Sequence, residues 1–308
     1  MNGIRPFEEQ PRENTGENRE KLKEGLGLSF SARRRDDQVI SIGDQIELAE
    51  TMEIPAAQFD FRGKTDEEVE EARAALTAYR QTHPDRALSI HGANPEIDQK
   101  TLDMSTKSRT AAELSLLAEA NGESYTVHPP SIGTKLFASI PQNAQEAIVR
   151  NYAATLASAL KAAIDSGKEF MIGIENMPAK GEDGAWGQNP DELSVLIRST
   201  QEAAAALDVD PETIRKSIGA TLDVNHALQD AQLENFDPML KVWFERLGDL
   251  IKIIHIYAPS KESKEFEARY RITLDLAAQY SPNARIFLES KQDAGATEKA
   301  LSALKKID

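Results

Sequence analysis

The chain has 308 residues, with 51 acidic against 36 basic side chains and a formal net charge of −15 at pH 7. That balance favours solubility and disfavours non-specific attraction to nucleic acid or anionic membranes. The absence of cysteine excludes disulfides and thiolate metal sites, no apolar run approaches the roughly 20 residues of a bilayer span, and the polar N-terminus lacks the apolar core of a secretory signal, so the expectation is a soluble, cytoplasmic protein.

Residues 1–23 are polar, charged and aperiodic, which predicts a flexible N-terminal extension, either a tail or an arm over one rim. From residue 24 to 308 strand and helix signals alternate with no internal linker, as expected of one domain. The first strand is expected at Leu26–Ser31 and is followed by Arg33-Arg34-Arg35, the one basic run. That run reads as a solvated loop or as a clamp in which Arg33 and Arg35 bind a phosphate or carboxylate. A segment near Ile42–Met52, a strand at Ala57–Phe61 and a helix at Asp66–Gln81 come next, then a turn holding His83 on the opposite rim. Strands at Ala87–His91, Ser124–His128 and Phe170–Asn176 alternate with helices at Thr106–Asn121 and Gln142–Ser166.

A glycine-rich loop after the fifth strand carries Trp186, which would either cover a sugar ring or anchor its loop. Asn189-Pro190 supplies a cap and a first-turn proline for a helix at Pro190–Ala206. A strand at Gly219–Asn225 and a helix at Pro238–Leu247 follow, the latter with Trp243 spaced to pack on the core. The last strands are expected at Ile251–Tyr257 and Arg285–Glu289, and the last helices at Ser263–Tyr280 and Thr297–Lys306. Eight strand–helix units in one chain of this length predict an α/β fold, a closed (β/α)8 TIM barrel.

The strongest functional signal is positional. His91, His128, Glu175, Asp223, His255 and Glu289 each end an apolar strand-like run. A closed ring of parallel strands opens all its strand C-termini on one rim, so it would gather these scattered groups at one mouth. An isolated buried carboxylate costs several kcal/mol unless it is paired, hydrogen-bonded or metal-bound. Three carboxylates and one imidazole at the last four strand ends suit Mn, Mg, Co or Zn. His226, three residues after Asp223, can lean over the same opening, and His91 and His128 with Glu175 could hold a second ion that Glu175 bridges.

The strings IHGANPEID, TVHPP, GIENMP, TLDVNHA, IIHIYAP and FLES, in this order, resemble the xylose isomerase-like barrel superfamily, which includes sugar isomerases, epimerases and endonuclease IV. The resemblance runs from about Gly25 to the C-terminus. Its ketose epimerase branch implies one metal held by Glu175, Asp223, His255 and Glu289, with Glu175 and Glu289 also acting as acid and base through an enediolate and His226 contacting a substrate oxygen. Its endonuclease IV branch implies His91 and His128 as further ligands. That branch also uses an Asp-x-His pair after strand seven and an intercalating tyrosine after strand three. Here those places read Ile-Tyr-Ala-Pro-Ser-Lys-Glu and Gly-Ala-Asn-Pro.

The function implied is therefore a divalent-metal-dependent isomerase or epimerase acting on a small sugar or sugar phosphate with one or two ions. Lys261 or Arg33 and Arg35 would hold a phosphate, Lys261 reading equally as an exposed loop residue. Nucleic acid is the less favoured partner and a membrane is not expected; many relatives are dimers or tetramers. The alternatives are an endonuclease IV-like phosphodiesterase with an incomplete third metal site and a metal-binding barrel without catalysis.

Overall fold

The computed structural model describes residues 15–31, 40–52, 54–98, 100–131, 140–178, 186–228, 233–257, 264–290, 297, 301–302 and 304–305. Its eight parallel strands are β1 (Gly27–Phe30), β2 (Ala56–Asp60), β3 (Ala87–His91), β4 (Ser124–Val127), β5 (Met171–Glu175), β6 (Ile218–Asp223), β7 (Ile251–Tyr257) and β8 (Arg285–Ser290). They pair in sequence order, and β1 pairs with β8 to close the ring, as in a (β/α)8 TIM barrel.

The helices between them are α1 (Thr15–Glu24), α2 (Ile42–Thr51), α3 (Asp66–Thr82), α4 (Lys107–Glu119), α5 (Gln142–Asp165), α6 (Pro190–Ala205), α7 (Pro211–Ser217), α8 (Val224–Ala227), α9 (Leu233–Leu247) and α10 (Lys264–Tyr280). Local chemistry explains where several begin. Ser41 with Asp44 and Thr65 with Glu68 form capping boxes at α2 and α3. Asn189 accepts the Glu192 N–H ahead of Pro190, as its cap position predicts.

The structure adds α7 and α8 to the expected elements and ends β6 at Asp223 instead of Asn225. Two helix starts differ as well. The polar N-terminal stretch contains α1, held on α10 by Asn18 Nδ2 donating to Ala278 O at 3.1 Å and by an Arg19–Asp275 pair at 3.2 Å. Leu22 is the one apolar side chain it buries, so hydrophobic periodicity carried no signal there. α9 starts before Pro238 and takes that proline inside its second turn, where the missing N–H removes one helical bond near the helix start. Trp243 is buried in the core, and His83 caps the end of α3 with its ring 4.9 Å from that of Tyr79. Of the helix expected at Thr297–Lys306, residues 297, 301–302 and 304–305 are described, and all of these are helical. No described helix is long and apolar enough to cross a membrane.

The lumen is layered. Ser29 donates to Gln58 Oε1 at 2.7 Å, Gln58 Nε2 donates to Thr126 Oγ1 at 3.0 Å, and Thr126 and Thr221 share a hydroxyl contact at 3.2 Å. Since β2, β4 and β6 are not neighbours, these bonds run through the barrel interior. Gln58, Thr126 and Thr221 lie two residues before Asp60, His128 and Asp223, so strand alternation turns the latter inward one layer higher. Beneath the polar layer Ala56, Ala87, Ile253 and Phe287 form an apolar plug.

Gly173, two residues before Glu175, completes this packing, for a Cβ there would run into Thr221 Oγ1. Gly173→Ala is expected to lower stability by about 1–3 kcal/mol, as overpacked cores do. Urea unfolding measures the loss, and Thr221→Ala in the same chain should restore part of it.

Candidate metal centre

Glu175 ends β5 at the centre of the mouth, and imidazoles surround it. His91 Nε2 lies 2.7 Å from its Oε2, His128 Nε2 lies 3.2 Å from the same oxygen, and His255 Nδ1 lies 3.3 Å from Oε1. His226 Nδ1 approaches Oε1 to 3.9 Å. His91, His128, Glu175, Asp223 and His255 are buried. Two groups of three have donor atoms within 4.8 Å of one another, namely His91–Glu175–His255 and Glu175–Asp223–His226. Glu175 belongs to both.

The surrounding layers fix these side chains. Asn176 joins β5 to β6, accepting the Asp223 N–H at 2.6 Å and donating to Asp223 O at 3.0 Å. Asp223 accepts the His226 N–H at 2.8 Å, and the Asn176 carbonyl lies 2.9 Å from His226 Nδ1. As a carbonyl can only accept, Nδ1 carries the hydrogen and Nε2 is left 3.7 Å from Asp223 Oδ2. From the helical layer, Tyr152 Oη donates to His128 O at 2.9 Å. Buried Glu113 accepts from Ala93 N at 3.0 Å, Tyr125 Oη at 2.7 Å and Arg109 Nε at 2.6 Å, bracing the turn after His91.

Two groups absent from the sequence reading complete the mouth. Asp60 ends β2 beside His91, with 3.8 Å between its Oδ1 and His91 Nδ1. Arg62 Nη2 lies 2.8 Å from Asp60 Oδ2 and 3.2 Å from Glu289 Oε1. The sequence signal for them is the string Gln-Phe-Asp-Phe-Arg: an acid ending a strand, as at the other six strand ends, with a cation two residues on. Glu289 is at the same mouth but in neither group of three. Trp186 packs half-buried against the core, in a loop tied back by Met177 N donating to Gly187 O at 3.0 Å. Arg33, Arg35 and Lys261 lie outside the described residues.

Burial pushes the Glu175 carboxyl up, but His91, His255 and His128 outweigh it and hold the group well below the usual range. Burial also raises Asp60, and Arg62 with His91 brings it far below. Glu289 is lowered because Arg62 and His255 overcome its burial. Asp223 goes the other way, to about 6, through burial and the nearby Glu175 and Glu289 charges, against the pull of His226. Burial takes His128 down to about 4. For His91, burial and Arg62 act to lower it, yet the Glu175 and Asp60 carboxylates carry it to about 9. His226 is raised too, as Asp223 and Glu175 outweigh its burial.

This environment fits a cation. Four carboxyl groups share the mouth with one guanidinium, and His91 Nδ1 and His255 Nε2 are buried without a hydrogen-bond partner. Buried polar atoms are normally satisfied, and a metal ion supplies the missing partner for imidazole nitrogen. Mixed imidazole and carboxylate donors suit Zn, Mn or Co.

No protein-family model and no curated protein matches the chain in sequence. Solved structures do match its fold. Endonuclease IV from Thermus thermophilus aligns at TM-score 0.56 and 17% identity over 91% of this chain and 97% of that one. D-allulose 3-epimerase from Methylomonas, solved with D-allulose, aligns at 0.57 and 12% over 92% and 96%. A xylose isomerase domain protein from Salmonella typhimurium aligns at 0.58 and 12% over 92% and 97%. The chain has the fold of xylose isomerase-like barrels. These neighbours span sugar epimerases and a nuclease, so the fold by itself does not choose between them.

The protonation states give a direct check on ligation. In the metal-free protein His91 is protonated at neutral pH, with its value near 9, whereas a ligating imidazole is neutral. Mn²⁺ uptake at pH 7 is expected to release about one proton per chain from this group, and affinity to rise by up to about tenfold per pH unit until about pH 9. Calorimetric titration in two buffers of different ionisation enthalpy counts the proton, and zero release would remove His91 from the ligand set.

Proposed function

We propose that the chain is a divalent-metal-dependent isomerase or epimerase that moves a proton on a small sugar or sugar phosphate through an enediolate. The observation that carries this reading is the meeting of two candidate ligand groups in Glu175, with a second ionised glutamate, Glu289, at the same mouth. His91, Glu175 and His255 would hold one ion, and Glu175 with Asp223 offers donors toward a second. A bound divalent cation polarises neighbouring carbonyl and hydroxyl oxygens, which acidifies the carbon-bound hydrogen between them.

The chain's own groups supply the rest. Glu289, kept ionised by Arg62, is suited to accept a proton, and Glu175 is its counterpart on the β5 side. His226 has one ring nitrogen committed to the Asn176 carbonyl, so its other nitrogen is oriented toward a substrate oxygen. The strongly acidic composition favours a small substrate over a polyphosphate backbone.

A second reading, hydrolysis of a phosphodiester, is favoured by one observation. His91 and His128 both contact Glu175 Oε2, which is more imidazole than a single-ion site requires. The test is solvent exchange. Ketoses incubated with metal-loaded protein in D₂O should take up deuterium at the carbon beside the carbonyl, read by NMR. Glu289→Gln should cut that exchange by on the order of 10²–10⁴ with little change in melting temperature. Cleavage of an abasic duplex without sugar exchange would instead select the hydrolytic reading, and neither activity would leave a metal-binding barrel.

A further inference from the structure

Arg62 stands at the mouth on a support whose side chains belong to neither candidate ligand group. Gln45, buried in α2, accepts the Asp60 N–H at 2.8 Å and donates to Asp60 O at 3.2 Å, so the end of β2 is gripped through both backbone groups of one residue. Phe61 donates its N–H to His91 O at 2.8 Å. Lys64 closes the turn, its Nζ donating to Ile40 O at 2.6 Å. From that fixed backbone Asp60 takes the guanidinium side-on. Arg62 Nε and Nη2 donate to the two carboxylate oxygens at 3.0 and 2.8 Å, and the Arg62 backbone N–H donates to Oδ1 at 2.9 Å. A two-pronged grip of this kind sets the plane of a guanidinium. It stands whether or not Glu289 turns toward an ion.

What the guanidinium has left is donor capacity. Three of its five N–H bonds are placed, two on Asp60 and one on Glu289 Oε1 at 3.2 Å. Those of Nη1 meet no acceptor among the described residues. Nη1 is not among the buried atoms that lack a partner, and the Arg62 side chain is 25% exposed against 1% for Asp60, so its free edge opens on the mouth. Asp60 alone already matches the charge of Arg62. A donor without surplus charge suits a hydroxyl oxygen, whereas a phosphate or carboxylate seeks an unmatched cation.

We infer that Arg62 is a substrate-binding residue, whose Nη1 donates to an uncharged hydroxyl oxygen and so fixes which part of a polyhydroxy substrate lies on the β2 side of the mouth. The inference rests on the reading of this mouth as a sugar site and deepens it: the part of the substrate that meets Arg62 is a neutral polyol, and a phosphate, where the substrate carries one, sits elsewhere.

The experiment uses the full-length, Mn²⁺-loaded protein, with D-ketohexoses, their monodeoxy derivatives and their phosphates as probes. Binding is read by calorimetry, separately from turnover. The variants are Arg62→Lys, which keeps the charge beside Asp60 and loses the planar fork, and Asp60→Asn/Arg62→Gln, which removes both charges together. Kd for the tightest ketohexose should weaken by about 10–100-fold in both, as loss of a hydrogen bond from a charged donor does. Kd for Mn²⁺ should stay within about threefold of wild type, since Arg62 is no ligand. In the wild type one monodeoxy derivative should bind about tenfold or more weakly than its parent, and in Arg62→Lys that difference should vanish, a coupling that a purely structural arginine does not produce. Equal Kd in wild type and both variants would overturn the inference, as would a deoxy penalty that Arg62→Lys leaves unchanged. So would a ketose phosphate whose tighter binding is lost in Arg62→Lys, which makes Arg62 an anion anchor, or Mn²⁺ binding weakened by more than about tenfold, which makes it a support of the metal site. A wild type that binds ketohexose without exchanging deuterium ends the isomerase reading, while the same binding contrast still decides for or against Arg62. A wild type that binds no ketohexose overturns both.

Discussion

A carboxylate buried at the axis of the barrel organises this molecule. Taking Glu175 out of water carries a penalty of several kcal/mol that only close partners can offset. The partners come from β3, β4 and β7, in the form of His91, His128 and His255. β4 neighbours β5, but β3 and β7 lie two strands away on its opposite sides, and the curvature of the closed ring is what brings His91 and His255 to Glu175. Closure of the ring and burial of the acid are thus one constraint. The imidazoles hold Glu175 ionised, and in turn its charge raises His91. An ion entering the site would take over the role that the His91 proton plays in its absence.

Everything beneath Glu175 supports that arrangement. Gly173 leaves room for Thr221, which with Thr126, Gln58 and Ser29 forms a hydrogen-bonded floor across the lumen. The floor satisfies its own polar groups and offers the ligands above it nothing to bond. Nitrogens such as His255 Nε2 therefore remain without a partner. Outside the strands, the Glu113 and Tyr152 contacts fix the backbone after His91 and at His128 from the helical layer. The ligands are thus preorganised from below and from behind, as metal sites built on rigid elements are.

The barrel and much of its mouth were legible in the sequence because both rest on local patterns. Each strand is a short β-branched run, and a titratable residue ending such a run is conspicuous. The same rule applied to Ala-Ala-Gln-Phe-Asp marks Asp60, but the apolar run continues through Phe61, which masks the strand's end. Arg62 was illegible for another reason. Its significance is a contact with Glu289, 227 positions away, and no local pattern reports a pairing across the point where a ring closes. Asn176 falls between: it was inside an expected strand, but its role is to tie β5 to β6 through the Asp223 backbone. α1 shows the opposite limit, a helix fixed by polar contacts to α10 and one buried leucine, which hydrophobic periodicity does not register.

These pieces divide the mouth into two halves of different chemistry. On the side of β3 to β7, imidazoles and carboxylates converge on Glu175, with neutral His128 and partnerless nitrogens suited to a cation. Around the closure of the ring, from β8 to β2, Asp60 and Glu289 share one guanidinium and are already neutralised in part without any ion. A divalent ion gains most where no guanidinium is fixed beside the acids, which is the Glu175 and Asp223 side; burial first, then the Glu175 and Glu289 charges, raise Asp223 to about 6. Under the proposed function, two carboxylates in one cavity with different neighbours would serve as the acid and base of the proton transfer.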